Sequence, residues 1–174
     1  MMKEVIKRII AKIQIWCNLE KIIAFSQYIF IRYYYSNQTE DELMDIDIKT
    51  FENACDYVSY ALYKVLEKMK FEDVNICEGI CKSKSHFYCC YKRSVFIVDP
   101  ACKQFGLNPY KFGNKRNYSK TELIDIDIFE QRFSDEYIQF VDRICDEIDK
   151  KELKGVIKNR NSLDAYVRTC QKLE

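Results

Sequence analysis

The sequence is short of several things, and each shortage removes a class of protein. It has no excess of charge of one sign: 28 Lys and Arg against 27 Asp and Glu leave a net charge of +1. That balance removes the electrostatic case for a nucleic-acid partner. It has no long apolar run. The longest uncharged stretch, Ile22 to Ile31, falls far short of the roughly 18 residues a membrane-spanning helix needs. The first residues are interrupted by Lys3, Lys7, Arg8 and Lys12, so no signal-peptide core is expected. Glycine and proline are scarce, at four and two. Two of those glycines and one proline fall within 106–120, a segment that reads as mostly loop with room for a short strand. Histidine occurs once, at position 86.

What is present points to a folded domain. The apolar fraction is 48% and the charged fraction 32%, a balance that disordered chains do not have. At roughly 150 residues per domain, 174 residues predict one domain, able to bury about 70% of its unfolded surface without a covalent or metal staple. Nine cysteines, at positions 17, 55, 77, 81, 89, 90, 102, 145 and 170, are the unusual count. The number is odd, and disulfide frameworks belong mainly to short secreted chains. The expectation is a reduced protein, cytoplasmic or delivered into a reducing host or target cytosol.

Hydrophobic spacing divides the chain into three parts. Residues 1–36 form an N-terminal helical segment, with Ile6, Ile9, Ile10, Ile13, Trp16 and Cys17, then Leu19, Ile22, Ile23 and Ile29, at helical intervals. Ser36 to Glu42 is a loop. Residues 50–105 form a core. Within it Asn53 reads as an N-cap with Asp56 three residues on, and Cys55, Val58, Leu62, Val65, Leu66 and Met69 share one helix face. Val74 to Gly79, Ser85 to Tyr91 and Ser94 to Pro100 read as strands. Residues 134–174 hold two helices. Ser134 caps the first, with Tyr137, Ile138, Val141, Ile144, Cys145 and Ile148 on its apolar face, and Ser162 starts the second. The echo between DELMDIDI at 41–48 and TELIDIDI at 121–128 is too short to define a repeat. Both copies read as short alternating strands with Asp outward, leading into helices.

One register argument gives the lone histidine a partner. Only Lys92 and Arg93 separate the strands 85–91 and 94–99. A turn centred between them pairs Tyr91 with Ser94, Tyr88 with Ile97 and His86 with Asp99. Directly opposed residues share a face with Cβ atoms about 5 Å apart, so a carboxylate stands ready to orient the imidazole. Cys55 lies in the first turn of its helix, where unpaired N–H groups and the helix dipole stabilise a thiolate. A thiolate, a histidine that shuttles protons and an Asp that orients it make a nucleophilic triad. Read alone, Cys55 is also an ordinary core residue on an apolar face.

The ordered series Cys55, Ser59, Leu62 and Leu66, then Val74 and Gly79, then His86-Phe87-Tyr88, then Val95-Phe96-Ile97-Val98-Asp99-Pro100, resembles the transglutaminase-like branch of the papain-like superfamily. Val98 to Gly106 also resembles the Asp-x-Thr-x-x-Gln-Phe-Gly continuation of some bacterial members. The match spans roughly 55 residues. The resemblance implies an α+β fold of helices packed against a small antiparallel sheet. It implies Cys55 as nucleophile, His86 as base and then acid, and Asp99 as its orienting residue, with Gln104 and Asn53 as candidate helpers. It also implies a protein or peptide substrate and no cofactor, and leaves room for an activating partner. Members include peptidases, transglutaminases, acyltransferases and bacterial toxins or effectors that deamidate protein glutamine. The chain departs from the family in lacking a Gln among Lys49 to Ala54, in carrying Tyr88 where a Trp is frequent, and in having Cys102 after Asp99.

Two alternatives stand beside this reading. Cys77-x3-Cys81, with His86 and Cys90, has spacing that a zinc site tolerates. With 13 Tyr, 11 Phe and one Trp, and a run Arg32-Tyr33-Tyr34-Tyr35, the chain also fits a non-catalytic protein-interaction module.

Overall fold

The computed structural model describes residues 19–36, 53–69, 71–91, 96–107, 110–112 and 118–147. The expected strand copy at 41–48, the start of the N-terminal helix and the second C-terminal helix from Ser162 lie outside them, as do Cys17 and Cys170. Among the described residues no helix is long and apolar enough to cross a membrane.

The architecture is α+β. Its elements run α1 (19–34), α2 (Cys55–Lys68), β1 (Val74–Cys81), β2 (Lys84–Tyr91), β3 (Phe96–Val98), a 3-10 turn (Cys102–Phe105), β4 (Tyr110–Phe112), β5 (Tyr118–Ile124), α3 (Ile126–Glu130) and α4 (Asp135–Glu147). The strands form one antiparallel sheet in the order β4-β3-β2-β1-β5. Sequence spacing finds β1, β2 and β3, reads the second half of β5 as the alternating strand beginning at Thr121, and leaves β4 and the start of β5 to a largely loop-like segment with room for a short strand.

Alternation along the strands gives the sheet two buried faces. Ile76, Phe87, Cys89, Tyr91 and Val98 pack against α1, α2 and α4, joining Leu62, Val65, Leu66, Tyr137 and Val141 in the larger core. Cys77, Cys81, Tyr88, Cys90 and Ile97 point the other way and pack with Phe105 and Tyr118. Burial on both faces explains why β2 reads as a nearly continuous apolar run, KSHFYCCY, without polar alternation.

Ser134 starts α4 as expected, its hydroxyl accepting from the Tyr137 N–H at 3.3 Å. Within TELIDIDI the strand stops at Ile124. Asp125 then caps α3, its carboxylate accepting from the Asp127 N–H at 2.9 Å. Both aspartates are exposed, but only the first half of this stretch is strand. A side chain that can satisfy an N–H group ends the ladder and starts the helix.

Three expectations need correction. Asn53 is not the N-cap of α2: with φ at 65° it lies in the left-handed region, whereas a cap is normally extended. Ala54 holds the cap position without a side-chain hydrogen bond, so Asp56 falls at the second helical position. The β2–β3 pairing is also displaced. Cys89 opposes Val98, Cys90 opposes Ile97 and Tyr91 opposes Phe96, a register two residues from the expected one, while Ser94 and Val95 of the expected strand lie outside the described residues. Because two is the period of side-chain alternation, His86 and Asp99 stay on one side of the sheet as diagonal neighbours.

The third correction concerns the thiols. Cys77 and Cys90 form a disulfide across β1 and β2, with Cα atoms 6.4 Å apart. Asn75 opposes Cys90 and Cys77 opposes Tyr88, so the two cysteines are diagonal on one face, within bridging distance. The wholly reduced set of cysteines expected from the sequence therefore fails at this pair. The set Cys77, Cys81, His86 and Cys90 considered for zinc is dismantled, because two of its sulfurs are bonded to each other. His86 has a different partner.

Candidate active site

β3 ends at Val98, so the chain leaves the sheet beside His86 and presents Asp99 in the turn that follows. The imidazole Nε2 of His86 lies 2.8 Å from Oδ2 of Asp99, and both residues are fully buried. Asp99 is held from three sides. Its Oδ1 accepts from the Ala101 N–H at 2.9 Å. Its Oδ2 accepts from His86 and also from the Tyr118 hydroxyl at 2.8 Å. A buried carboxylate with three donors has its charge compensated by hydrogen bonds and is fixed in orientation.

Aromatic rings surround the imidazole. Phe105 meets it edge-on with ring centroids 4.8 Å apart, and Tyr88 and Tyr118 lie nearly parallel to it at 6.2 and 6.5 Å. Tyr88 is tied in turn to Thr121, oxygen to oxygen at 2.6 Å. Gly79, opposite His86 in β1, makes room for this packing. A Cβ there would come within 2.8 Å of the Tyr88 Oη and 3.1 Å of the Ser119 carbonyl.

Cys55 is the first residue of α2 and packs beside Ala54, Val58, Phe30 and Ala101. Ala101 is the residue whose N–H holds Asp99, so the helix start and the Asp turn share one small cluster. Burial of the imidazole opposes its charged form. Hydrogen bonds with Asp99 and Cys55, followed by the charges of both, outweigh that penalty and push the His86 pKa up to about 9. Asp99 occupies Nε2, which leaves Nδ1 as the nitrogen for Cys55. Nδ1 is buried and has no formed hydrogen bond, so Cys55 acts on the imidazole as a neighbour, and a completed thiol–imidazole bond is left for the substrate complex.

The other thiols differ from Cys55. Cys81, Cys89, Cys102 and Cys145 are buried, whereas Cys55 is partly exposed. Burial, then the charge of Asp99, pushes Cys81 up to about 11 and Cys89 higher still. Both are held as thiols at neutral pH, and the thiolate is the reactive form.

The fold keeps His86 beside Asp99, as the register argument expected, and puts Cys55 near enough to act on the charge of His86. Of the candidate helpers, Asn53 is exposed and caps nothing. Gln104 lies in the 3-10 turn with its Nε2 buried and without a hydrogen-bond partner. Two contributors escaped the sequence reading. Tyr118 lies in a segment read as loop, and only the pairing of Tyr118 with Cys81 across β1 and β5 brings it to Asp99. Gln27 of α1 donates to the Pro100 carbonyl at 2.6 Å, clamping the Asp99 turn from a helix 73 residues away. Neither contact has a signal in local spacing.

No family model, no curated protein and no solved structure matches this chain.

Proposed function

We propose that this protein is a cysteine-dependent amide hydrolase working through a thioester. The observation that carries the reading is the conjunction at one place of a partly exposed thiol at a helix start, the chain's only imidazole and a carboxylate 2.8 Å from it. The resemblance to papain-like and transglutaminase-like proteins supports the same roles. Among its members, a bacterial effector or toxin that deamidates protein glutamine is the reading we favour for a chain this small. A peptidase or an acyltransferase is the alternative within the fold.

The chemistry follows from the roles. Cys55 adds as thiolate to the side-chain carbonyl carbon of glutamine, and the N–H groups at the very start of α2, ahead of Tyr57 whose N–H is taken by the Asp56 carboxylate at 2.9 Å, serve the developing oxyanion. Gln104, with a buried amide hydrogen to give, is the side-chain candidate for the same task. As the tetrahedral adduct collapses, the C–N bond breaks, and imidazolium His86 gives its proton to the leaving ammonia. A γ-glutamyl thioester on Cys55 remains. Neutral His86 then takes a proton from water, the resulting hydroxide attacks the thioester, and glutamate leaves as the thiol is restored. An amine in place of water gives transamidation instead.

Incubation with glutamine-rich proteins separates the outcomes. Ammonia release with a glutamine-to-glutamate mass change marks deamidation. New chain ends mark a peptidase, and incorporation of a primary amine marks an acyltransferase. Cys55→Ser is expected to abolish whichever is seen while leaving the fold intact, and undiminished turnover in that variant would end the proposal. The non-catalytic reading has one observation in its favour, the exposure of Tyr28 and Tyr34 on α1. Equal labelling of Cys55 and an ordinary exposed thiol by a vinyl-sulfone probe would favour it.

A further inference from the structure

We infer that Tyr118 is a positioning residue of the site, locking the Asp99 carboxylate for His86 and stabilising the anion left when the imidazolium releases its proton. The inference rests on the thiol–imidazole reading of the site and extends it to β5.

The geometry is specific. Tyr118 and His86 both end on the same carboxylate oxygen, each at 2.8 Å, while Ala101 holds the other oxygen. With both oxygens tied to groups outside β2, the carboxylate cannot turn, and the imidazole it holds cannot swing. Tyr118 is itself buried and packed at a tilt against Tyr88, with centroids 4.7 Å apart and ring planes at 56°, which fixes the direction of its hydroxyl. Burial, then the charge of Asp99 and the hydrogen bond to it, hold the phenol far above its ordinary range. It therefore stays a donor through the range in which His86 titrates.

That permanence has a consequence for proton traffic. While His86 is charged, the Asp99 charge is neutralised by it. Once His86 gives up its proton, Asp99 is a buried anion, and the Tyr118 hydroxyl becomes its main remaining side-chain donor. A donor that favours the deprotonated state more than the ion pair lowers the pKa at which the pair lets go. Tyr118 thereby moderates the strong hold of Asp99, so that His86 can serve as acid in one half-reaction and base in the next. The other titratable groups about the pair are Cys55 from α2, Tyr88 and Cys89 from β2, Cys81 from β1 and Cys102 from the 3-10 turn.

The test uses the full chain, whose single histidine gives an unambiguous imidazole NMR titration. The wild-type midpoint is expected near 9. Tyr118→Phe should raise it by roughly one pH unit, as expected for a lost hydrogen bond to the charged form, and should move the alkaline edge of Cys55 labelling by the same amount. Thr121→Val, which removes the partner of Tyr88 and leaves Asp99 alone, should move neither. If Tyr118→Phe does not fold, 3-fluorotyrosine at position 118 keeps the ring and strengthens the donor, and should lower the midpoint. A raised wild-type midpoint that neither change at position 118 moves would overturn this inference alone. A wild-type midpoint near the ordinary 6.5 would overturn the thiol–imidazole reading, and this inference with it.

Discussion

At the scale of single residues, the site depends on a few atoms with little freedom. Asp99 gives the clearest case. Replacing it with Asn keeps the shape and two of the hydrogen-bond directions but removes the charge that favours imidazolium. Asp99→Asn is expected to lower the His86 midpoint well below 9, and to reduce turnover about a hundredfold or more, as loss of an orienting carboxylate does in triads. The pair of measurements is an imidazole NMR titration and a steady-state rate. Gly79 offers a test of packing. A methyl group there meets the Tyr88 hydroxyl at 2.8 Å and the Ser119 backbone at 3.1 Å, and the backbone contact cannot be relieved by a rotamer change. Gly79→Ala should cost about 1–3 kcal/mol, read as a lower midpoint in urea, and should disturb His86 through the ring beside it.

Elements show how much of this was legible in the sequence. The face of α2 was readable because Val58, Leu62, Val65, Leu66 and Met69 repeat at helical intervals, and all five are buried. Its first residue was one place from the expected position, because Asn53 carries a cap-forming side chain on a left-handed backbone. Cys55 fell in the first turn under either assignment. The hairpin was misread by two residues at its turn, and the shared side of His86 and Asp99 survived because side-chain alternation also has a period of two. The second half of β5 was read within TELIDIDI, and its first half escaped for a different reason. Its pattern, YSKTELI, is largely exposed after Tyr118 and shifts register between Glu78 and Ile80 of its partner, so no clean alternation marks it. At the other end of the fold, the Ser134 cap was read directly. Ser134→Ala should lower stability by about 1 kcal/mol, measured by chemical denaturation, without altering the reactivity of Cys55.

For the whole molecule, the buried His86–Asp99 pair ties stability to pH. The folded pKa of His86 is raised from 6.5 to about 9, so folding takes up a proton between those values. The stabilisation is fully present below about 6.5 and is lost as the pH rises through 9. Thermal melting followed from pH 6 to about 8, below the ordinary thiol range in which buried Cys81, Cys89 and Cys145 add their own loss of stability, should show a decline. In His86→Ala the decline should be absent or much shallower. The fold sets this up by bringing four distant segments to one point: α1 through Gln27, α2 through Cys55, the β2–β3 pair through His86 and Asp99, and β5 through Tyr118. That convergence is a property of the tertiary structure, which is why spacing along the chain could propose the three central residues and not their supports.

The central claim is that Cys55 is a nucleophile activated by His86. It is tested most directly by timed labelling of the full chain at pH 7 with a vinyl-sulfone probe, mapped to individual cysteines by mass spectrometry. Cys55 should label ahead of Cys81, Cys89, Cys102 and Cys145, and its rate should fall about tenfold or more in His86→Ala, since the nucleophile then has no neighbouring base to activate it. Labelling of Cys55 at the same rate in the wild type and in His86→Ala would contradict the account.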